Sequence, residues 1–302
     1  MAGNRAVARA IGKEALGVST RPLSLAVVVL TFNEEANVDA CLASVQGWAS
    51  ELFVVDSGST DTTTEIAARR GATVVVHAFE SHTTQWGWAL VSLPLQSDWV
   101  LALDADQRVT PELRDDMIAL LTSESIPCAG YFMARRQVFR GRWIRHGGYY
   151  PKYLLKLFRR GQARVGDDLV DHHFLVSGRL GRLQGDLIED NRNELRIFDW
   201  TEKHNRYARR QALDEIARWQ NGMPRGRLFG DPDERVAWMK RVWMRFPLFV
   251  RPIGYFVYRY VFRLGFLDGK EGFVFHVLQG FWYRLLVDIN IEEQRRSRGV
   301  DA

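Results

Sequence analysis

An apolar run, Trp99-Val-Leu-Ala-Leu103, stops at two carboxylates one residue apart, Asp104 and Asp106. Two chemistries fit that spacing. Acids at i and i+2 leaving a buried strand can converge on one divalent cation. Mg2+ and Mn2+ prefer such hard oxygen ligands, and Mg2+ combines few protein carboxylates with phosphate oxygens. The alternative is a pair of solvated acids near a helix N-terminus. A buried strand end with further polar strand ends beside it favours the cation.

There are two such neighbours. Thr31, Asn33, Glu34 and Glu35 follow the run Leu23–Leu30. As an acid-rich first helical turn they would be favoured by the helix dipole. Asp56 ends the run Leu52–Val55 and opens Asp56-Ser-Gly-Ser-Thr-Asp61. At a strand end Asp56 can accept from a base N–H or a ribose hydroxyl. Gly58 permits a tight turn, and Ser59, Thr60 and Asp61 can cap the next helix. Neither loop carries GxGxxG, which argues against a dinucleotide-binding dehydrogenase, and no GxxxxGK[ST] phosphate loop exists. Phosphatases of the haloacid-dehalogenase type also use a DxD pair, but after their first strand. Here the pair follows the fourth strand and is continued by Gln107-Arg108.

These residues need a scaffold, and the flanking pattern supplies one. Continuous apolar runs at 23–30, 52–55, 72–79 and 99–103 predict strands covered on both faces. Helical patterns lie between them, including 84–92, a helix ending at Gly71, and one opening at Thr110 (N-cap) and Pro111 (N1). Alternation of strand and helix predicts an α/β fold, a Rossmann-type, mainly parallel sheet flanked by helices. Ligands of such sheets bind beyond the carboxyl ends of the strands, where all three polar clusters fall. After residue 125, 129–139 and 153–161 read as mixed or antiparallel strands and 200–220 as a charged helix.

The chain has 302 residues, 46% hydrophobic and 25% charged, with a net charge of +5. This is ordinary globular composition with enough material for a core, and the positive excess suits anionic partners. Cys41 and Cys128 lack metal-site spacing and form no disulfide framework, so a reducing compartment is expected. Residues 1–22 carry Arg5, Arg9, Lys13 and Arg21 without an apolar core, and are read as a basic flexible tail rather than a signal peptide. No run of 18 uncharged apolar residues predicts a transmembrane helix.

Taken together, VVVLTFNEEANVDACLASV, VVDSGSTDTT and LALDADQRVTPEL, in this order and spacing, resemble the family 2 glycosyltransferases of GT-A fold. The resemblance covers about residues 23–125. It implies that Thr31, Asn33, Glu35, Asp56, Ser59, Asp104 and Ala105 bind a nucleotide-sugar. Asp104 and Asp106 would be the pair that positions a divalent metal, Mg or Mn, on the diphosphate. VDHHF, KHNRYA and FLDGKEGFVFHVLQGFWYRLLVD resemble a bacterial subset linked to lipopolysaccharide core and exopolysaccharide synthesis. Inverting transfer needs a base for the acceptor hydroxyl. Asp171 occupies the acidic position of that motif, with Asp168 as the alternative, and His173 or His172 could join the metal shell. His172 departs from the Glu of the pattern.

The remaining cations divide. Lys152, Lys156, Arg159 and Arg160 could neutralise a diphosphate or an anionic acceptor but read first as strand-flanking surface charges, and Lys203, His204 and Arg206 as either site-facing or solvated. Between Arg241 and Gly265 five arginines and no acid are interleaved with aromatics. That composition suits a helix in an anionic membrane interface better than a nucleic-acid groove, with core packing against the first domain and snorkelling arginines as the other reading. The expected organisation is a tail over 1–22, a GT-A domain over 23–228 and a helical, membrane-apposed region over 229–302. The expected protein is peripheral on the cytoplasmic face of the inner membrane and binds no nucleic acid. Its expected partners are a nucleotide-diphosphate sugar and a lipid-linked or lipopolysaccharide acceptor. A nucleotidyl- or phosphotransferase using the same Asp pair, or a membrane-docked binder that lacks a base, remain alternatives.

Overall fold

A computed structural model describes residues 23–166, 173–221, 227, 229 and 232–297. The basic tail, Asp168, Asp171 and His172 lie outside the described residues. The first half alternates as its pattern predicts: β1 (Leu23–Thr31), α1 (Val38–Ala43), β2 (Ala49–Asp56), α2 (Thr63–Arg69), β3 (Thr73–Val76), α3 (His82–Ser92) and β4 (Trp99–Asp104). A short β5 (Gln107–Val109) precedes α4 (Pro111–Leu121). The start of α4 is set as its sequence implies, with Thr110 Oγ1 accepting from the Leu113 N–H and Pro111 in the first turn.

Continuous hydrophobicity in β1 and β4 is explained by burial on both faces. Val27, Val29, Leu101 and Leu103 point into one apolar layer with Leu42 and Leu113. Ala26, Val28, Val100 and Ala102 point into the other with Trp86 and Phe158. Neighbours in a strand alternate between the two layers, so each strand fills both.

The second half adds β6 (Gly130–Phe139), β7 (Arg142–Trp143), β8 (Lys152–Arg159), β9 (Ala163–Val165), β10 (Phe174–Val176) and β11 (Leu180–Glu189). The main sheet runs β3-β2-β1-β4-β8-β6-β11-β5. Its first four strands are parallel, as predicted. β8 is antiparallel to both β4 and β6, β11 is parallel to β6, and β5 is antiparallel to β11. The sheet is therefore mixed, with its parallel half carrying the three polar strand ends.

Helices complete the chain: α5 (Ile197–Asn221), α6 (Pro232–Arg245), α7 (Val250–Val257), α8 (Gly269–Phe275) and α9 (Tyr283–Ser297). A π-helical segment, Tyr258–Phe262, extends α7, and another, His276–Trp282, joins α8 to α9. Ala208, Ala212 and Ile216 of α5 pack against Tyr283, Val287 and Ile291 of α9. Among the described residues no helix is long and apolar enough to cross a membrane.

Candidate active site

Register levels the strand ends. Leu30 of β1 lies opposite Asp104 of β4, and Thr31 lies opposite Asp56 of β2. Residues 105–106 form a two-residue turn between β4 and β5. β5 nevertheless pairs with β11 at the far edge of the sheet. So short a connection is satisfied only if the sheet curls and returns its last strand to the end of β4. The curl brings β11 to the acidic pair. The Asp190 N–H donates to the Asp106 carbonyl at 3.0 Å. The Asp104 N–H donates to Gln107 Oε1 at 3.1 Å, Gln107 Nε2 donates to Glu189 Oε2 at 3.0 Å, and Arg135 Nη1 donates to Glu189 Oε1 at 3.0 Å. Ala105 is buried in the core behind the turn, so its side chain supports the turn.

Charge at this point is crowded. Burial pushes the Asp106 carboxyl well above its ordinary range, and the carboxylates of Glu189 and Asp104 push it further. Burial also raises Glu34, with Glu194 and Asp104 adding to the effect against the Asn37 hydrogen bond and Lys203. Lys203 donates to Glu194. Burial works against its ammonium, but Glu194 and the more distant Asp106 hold its pKa above the ordinary lysine range. Lys203 thus faces the site, one of the two readings its sequence left open.

Lys156 is a correction. Its sequence context suggested a surface charge, yet it is 4% exposed and its Nζ donates to Asp104 Oδ2 at 2.8 Å. β8 lies beside β4 in the sheet, which turns this side chain toward the acidic pair and over the Trp86 ring, 6.0 Å from its centroid.

The donor set fits a hard divalent cation. It is all oxygen, and the mutual repulsion of its carboxylates is what such a cation would relieve. Among the described residues no group of three or more His, Cys, Asp and Glu side chains is arranged to hold a metal ion. Asp104 and Asp106 would therefore need oxygens from a ligand to complete a shell. His173 is exposed, just before β10, and its carbonyl accepts from the Gly166 N–H; it is not gathered with the Asp pair into such a group.

The loops after β1 and β2 fasten to each other. Asp56, 1% exposed, accepts from Thr31 Oγ1 (2.8 Å), Ser59 Oγ (2.6 Å) and the N–H groups of Gly58 (2.9 Å) and Ser59 (2.7 Å). The Asp56 carboxylate thus folds its own loop, a task its sequence context did not reveal. Asn33 adopts φ 53°, a left-handed conformation that Asn tolerates. Its N–H reaches Ser59 Oγ at 2.8 Å and its Oδ1 accepts from the Thr60 N–H at 2.8 Å. Glu35 Oε2 accepts from Thr62 Oγ1 at 2.8 Å. A third segment joins them, as Asn193 Nδ2 donates to the Asn33 carbonyl (3.0 Å) and to Glu34 Oε2 (3.1 Å). The structure thus brings Thr31, Asn33, Glu35, Asp56 and Ser59 together beside Asp104 and Asp106. It adds Lys156, Glu189 and Asn193, for which no motif in the sequence spoke.

Comparison with known proteins finds glycosyltransferases. The family described as "Glycosyl transferase family 2" matches residues 26–180. An uncharacterized glycosyltransferase of Rickettsia bellii (strain RML369-C) is 35% identical over 101 residues, 33% of this chain and 34% of that protein. The match thus spans about a third of the length of such relatives. The lipopolysaccharide core biosynthesis glycosyltransferase LpsC of Rhizobium meliloti (strain 1021) is 28% identical over 206 residues, covering 64% of this chain and 72% of that protein. Among solved structures, glucosyl-3-phosphoglycerate synthase from Mycobacterium tuberculosis, in complex with Mn2+, uridine diphosphate and glucosyl-3-phosphoglycerate, aligns at 27% identity. That alignment covers 39% of this chain and 45% of that one, with a TM-score of 0.30.

Proposed function

The chain belongs to glycosyl transferase family 2, and from that premise we propose that it transfers a sugar, with inversion, from a nucleotide-diphosphate donor to a lipid-linked or lipopolysaccharide acceptor. One observation carries the reading: the carboxyl ends of β1, β2 and β4 are level, so the Asp56 loop and the acidic pair border one space. A base and ribose fit against the loops of Thr31–Glu35 and Asp56–Ser59. The Ser59 hydroxyl can rotate away from Asp56 to admit a donor N–H. Asp104 and Asp106 would hold Mg2+ or Mn2+, which when bound supplies charge to the departing diphosphate. Lys156 holds Asp104 in place and adds positive charge beside it.

In the reaction the bond from anomeric carbon to diphosphate oxygen breaks and a bond to the acceptor oxygen forms. The acceptor's proton passes to a carboxylate, assigned here to Asp171 with Asp168 as the alternative; both lie outside the described residues. The lipopolysaccharide core biosynthesis role of LpsC supports the acceptor class. With such an acceptor the enzyme works at the cytoplasmic face of the inner membrane, and residues 229–302 are its membrane-apposed part.

The test is calorimetry with a panel of nucleoside diphosphates, with and without Mn2+, on the wild type and on Asp104→Asn/Asp106→Asn. One nucleotide should bind in a metal-dependent way and fail to bind the variant. Binding indifferent to both metal and the Asp pair overturns the reading. Release of pyrophosphate rather than a nucleoside diphosphate would move the enzyme to nucleotidyl transfer.

A further inference from the structure

The helix formed by α7 and its π-helical extension has its polarity reversed. Arg251 and Arg259 face the protein. Arg251, 2% exposed, pairs with Asp288, and its Nη2 donates to Glu215 Oε2 at 2.9 Å. Arg259 Nη1 donates to the Gly147 carbonyl at 2.7 Å, and its guanidinium lies 4.5 Å from the Tyr149 ring centroid. The opposite face carries Val250, Ile253, Val257, Val261 and Phe262, all exposed, Phe262 at 73%. Two of the five arginines read beside this apolar face are fixed inside, and the outward stripe is apolar but for Tyr258, 49% exposed.

The patch continues into the next turn. Leu264, Phe266 and Leu267 are each at least 45% exposed. Twelve of the large apolar side chains exposed among the described residues fall between Phe246 and Phe273. Phe249 and Leu264, at the two ends of the helix, are bulky residues with φ 68° and 58°. Strain of that kind persists where the surroundings over-determine it, and here the Phe249 N–H is held by Asp288 Oδ2 at 2.8 Å. An exposed apolar area of this extent marks an interaction surface.

Its rim identifies the occupant. Arg245 is exposed at the end of α6, Arg263 just past the π-helical extension, and Lys270 just past the turn. Asp268, the one acid between Arg245 and Lys270, is buried, its Oδ1 2.7 Å from His146 Nδ1, and Glu271, next to Lys270, is half-buried. An exposed apolar and aromatic stripe with cations at its edge and no exposed acid from Arg245 to Lys270 fits the headgroup boundary of an anionic bilayer.

We propose that the surface built on Val250–Phe262 and Leu264–Leu267 docks in the plane of an anionic lipid bilayer, its side chains entering the acyl boundary while Arg245, Arg263 and Lys270 meet lipid phosphates. The inference rests on the proposed function only for what the bilayer presents, a lipid-linked acceptor; the surface is argued from its own geometry.

The test is co-sedimentation of the full chain with phosphatidylcholine vesicles, with and without phosphatidylglycerol, alongside nucleotide binding and circular dichroism on the same samples. The wild type should bind the anionic vesicles. Val257→Asp/Phe262→Asp should lower the partition by about tenfold or more, with an unchanged dichroism spectrum and nucleotide affinity. Arg263→Gln and Lys270→Gln should each cost about fivefold at low salt and nothing on neutral vesicles. A wild type that binds nucleotide but neither vesicle overturns the proposal. So does a dimer in sedimentation velocity that Val257→Asp/Phe262→Asp dissociates without changing vesicle binding, since a second copy then owns the patch. Vesicle binding without nucleotide binding supports the surface and sinks the glycosyltransferase reading alone.

Discussion

Lys156 and Asp104 are partners across adjacent strands, Nζ to Oδ2 at 2.8 Å, with the lysine side chain 5% exposed and the aspartate 33%. The lysine is an internal cation at the place where an external one would sit. The two compete for the same carboxylate.

Lys156→Met therefore has two opposite effects. Without metal or nucleotide it lowers stability by about 1–3 kcal/mol, less than a fully buried pair because Asp104 is partly solvated. It also tightens Mn2+ binding severalfold, because the cation no longer competes with an ammonium. Thermal melting reads the first and electron paramagnetic resonance titration of free Mn2+ the second. Unchanged values for both would show that the pair does not form in solution.

Gly185 is where β11 meets α4. A Cβ there would lie 2.3 Å from the Leu113 nitrogen and 2.4 Å from its Cα, so backbone has to move. Gly185→Ala should cost about 3 kcal/mol or more in urea unfolding and weaken the Thr110 hydroxyl's 2.9 Å bond to the Asp186 carbonyl. Gly181→Ala is the comparison. Its Cβ meets the Tyr131 ring at 2.5 Å, a side chain that can shift, so it should lose less.

The buried Arg251 cluster ties α7 to α5 and α9 through Glu215 and Asp288. Asp288→Ala removes the main partner of a guanidinium that is 1% exposed, and should destabilise by about 3–5 kcal/mol in urea unfolding. Replacing Arg251, Glu215 and Asp288 together by Met, Leu and Leu should lose much less, since no unpaired charge is left inside. Equal losses would show that packing, not charge, holds the helix.

His276 is fully buried between Gly147 and Gly265, and neither ring nitrogen has a partner. Burial lowers its pKa from 6.5 to about 4. Between those values the unfolded chain binds a proton that the folded chain refuses. Stability therefore rises with pH across that window and is lost as pH falls from about 6.5 toward 4, by up to about 3 kcal/mol. Urea unfolding at pH 7.5 and 5.0 should show the loss. His276→Gln should show less of it, and an equal slope in both proteins would assign it elsewhere.

The parallel first half was legible because two signals coincide there. Continuous apolar runs announce doubly covered strands, and polar residues at their ends announce the loops. Lys156 was only half legible: a cation for a diphosphate was one reading, but in Leu154-Leu-Lys-Leu-Phe158 a lysine reads first as outward-facing unless its partner is known, and Asp104 lies on another strand. Glu189 was missed for a related reason. β11 carries glycines at 181 and 185 and charges at 182 and 186, so no run marks it as a strand. Arg251 misled because its acids, Glu215 and Asp288, come from α5 and α9. Asp56 was half legible, its strand-end position read correctly and its loop-folding role not.

The two-residue turn at Ala105-Asp106 has a further consequence, for the timing of synthesis. The strand it leads into has β11 as its ladder partner, so Gln107–Val109 cannot be paired until Leu187–Glu189 have left the ribosome. A nascent chain stalled at residue 125 already displays the whole acidic motif, on a turn whose far side has nothing to lean on. One stalled beyond α5 has Glu189, Asn193 and Lys203 in reach. Completion of the acidic cluster is thus a late event for the growing polypeptide, arriving long after its signature has been translated.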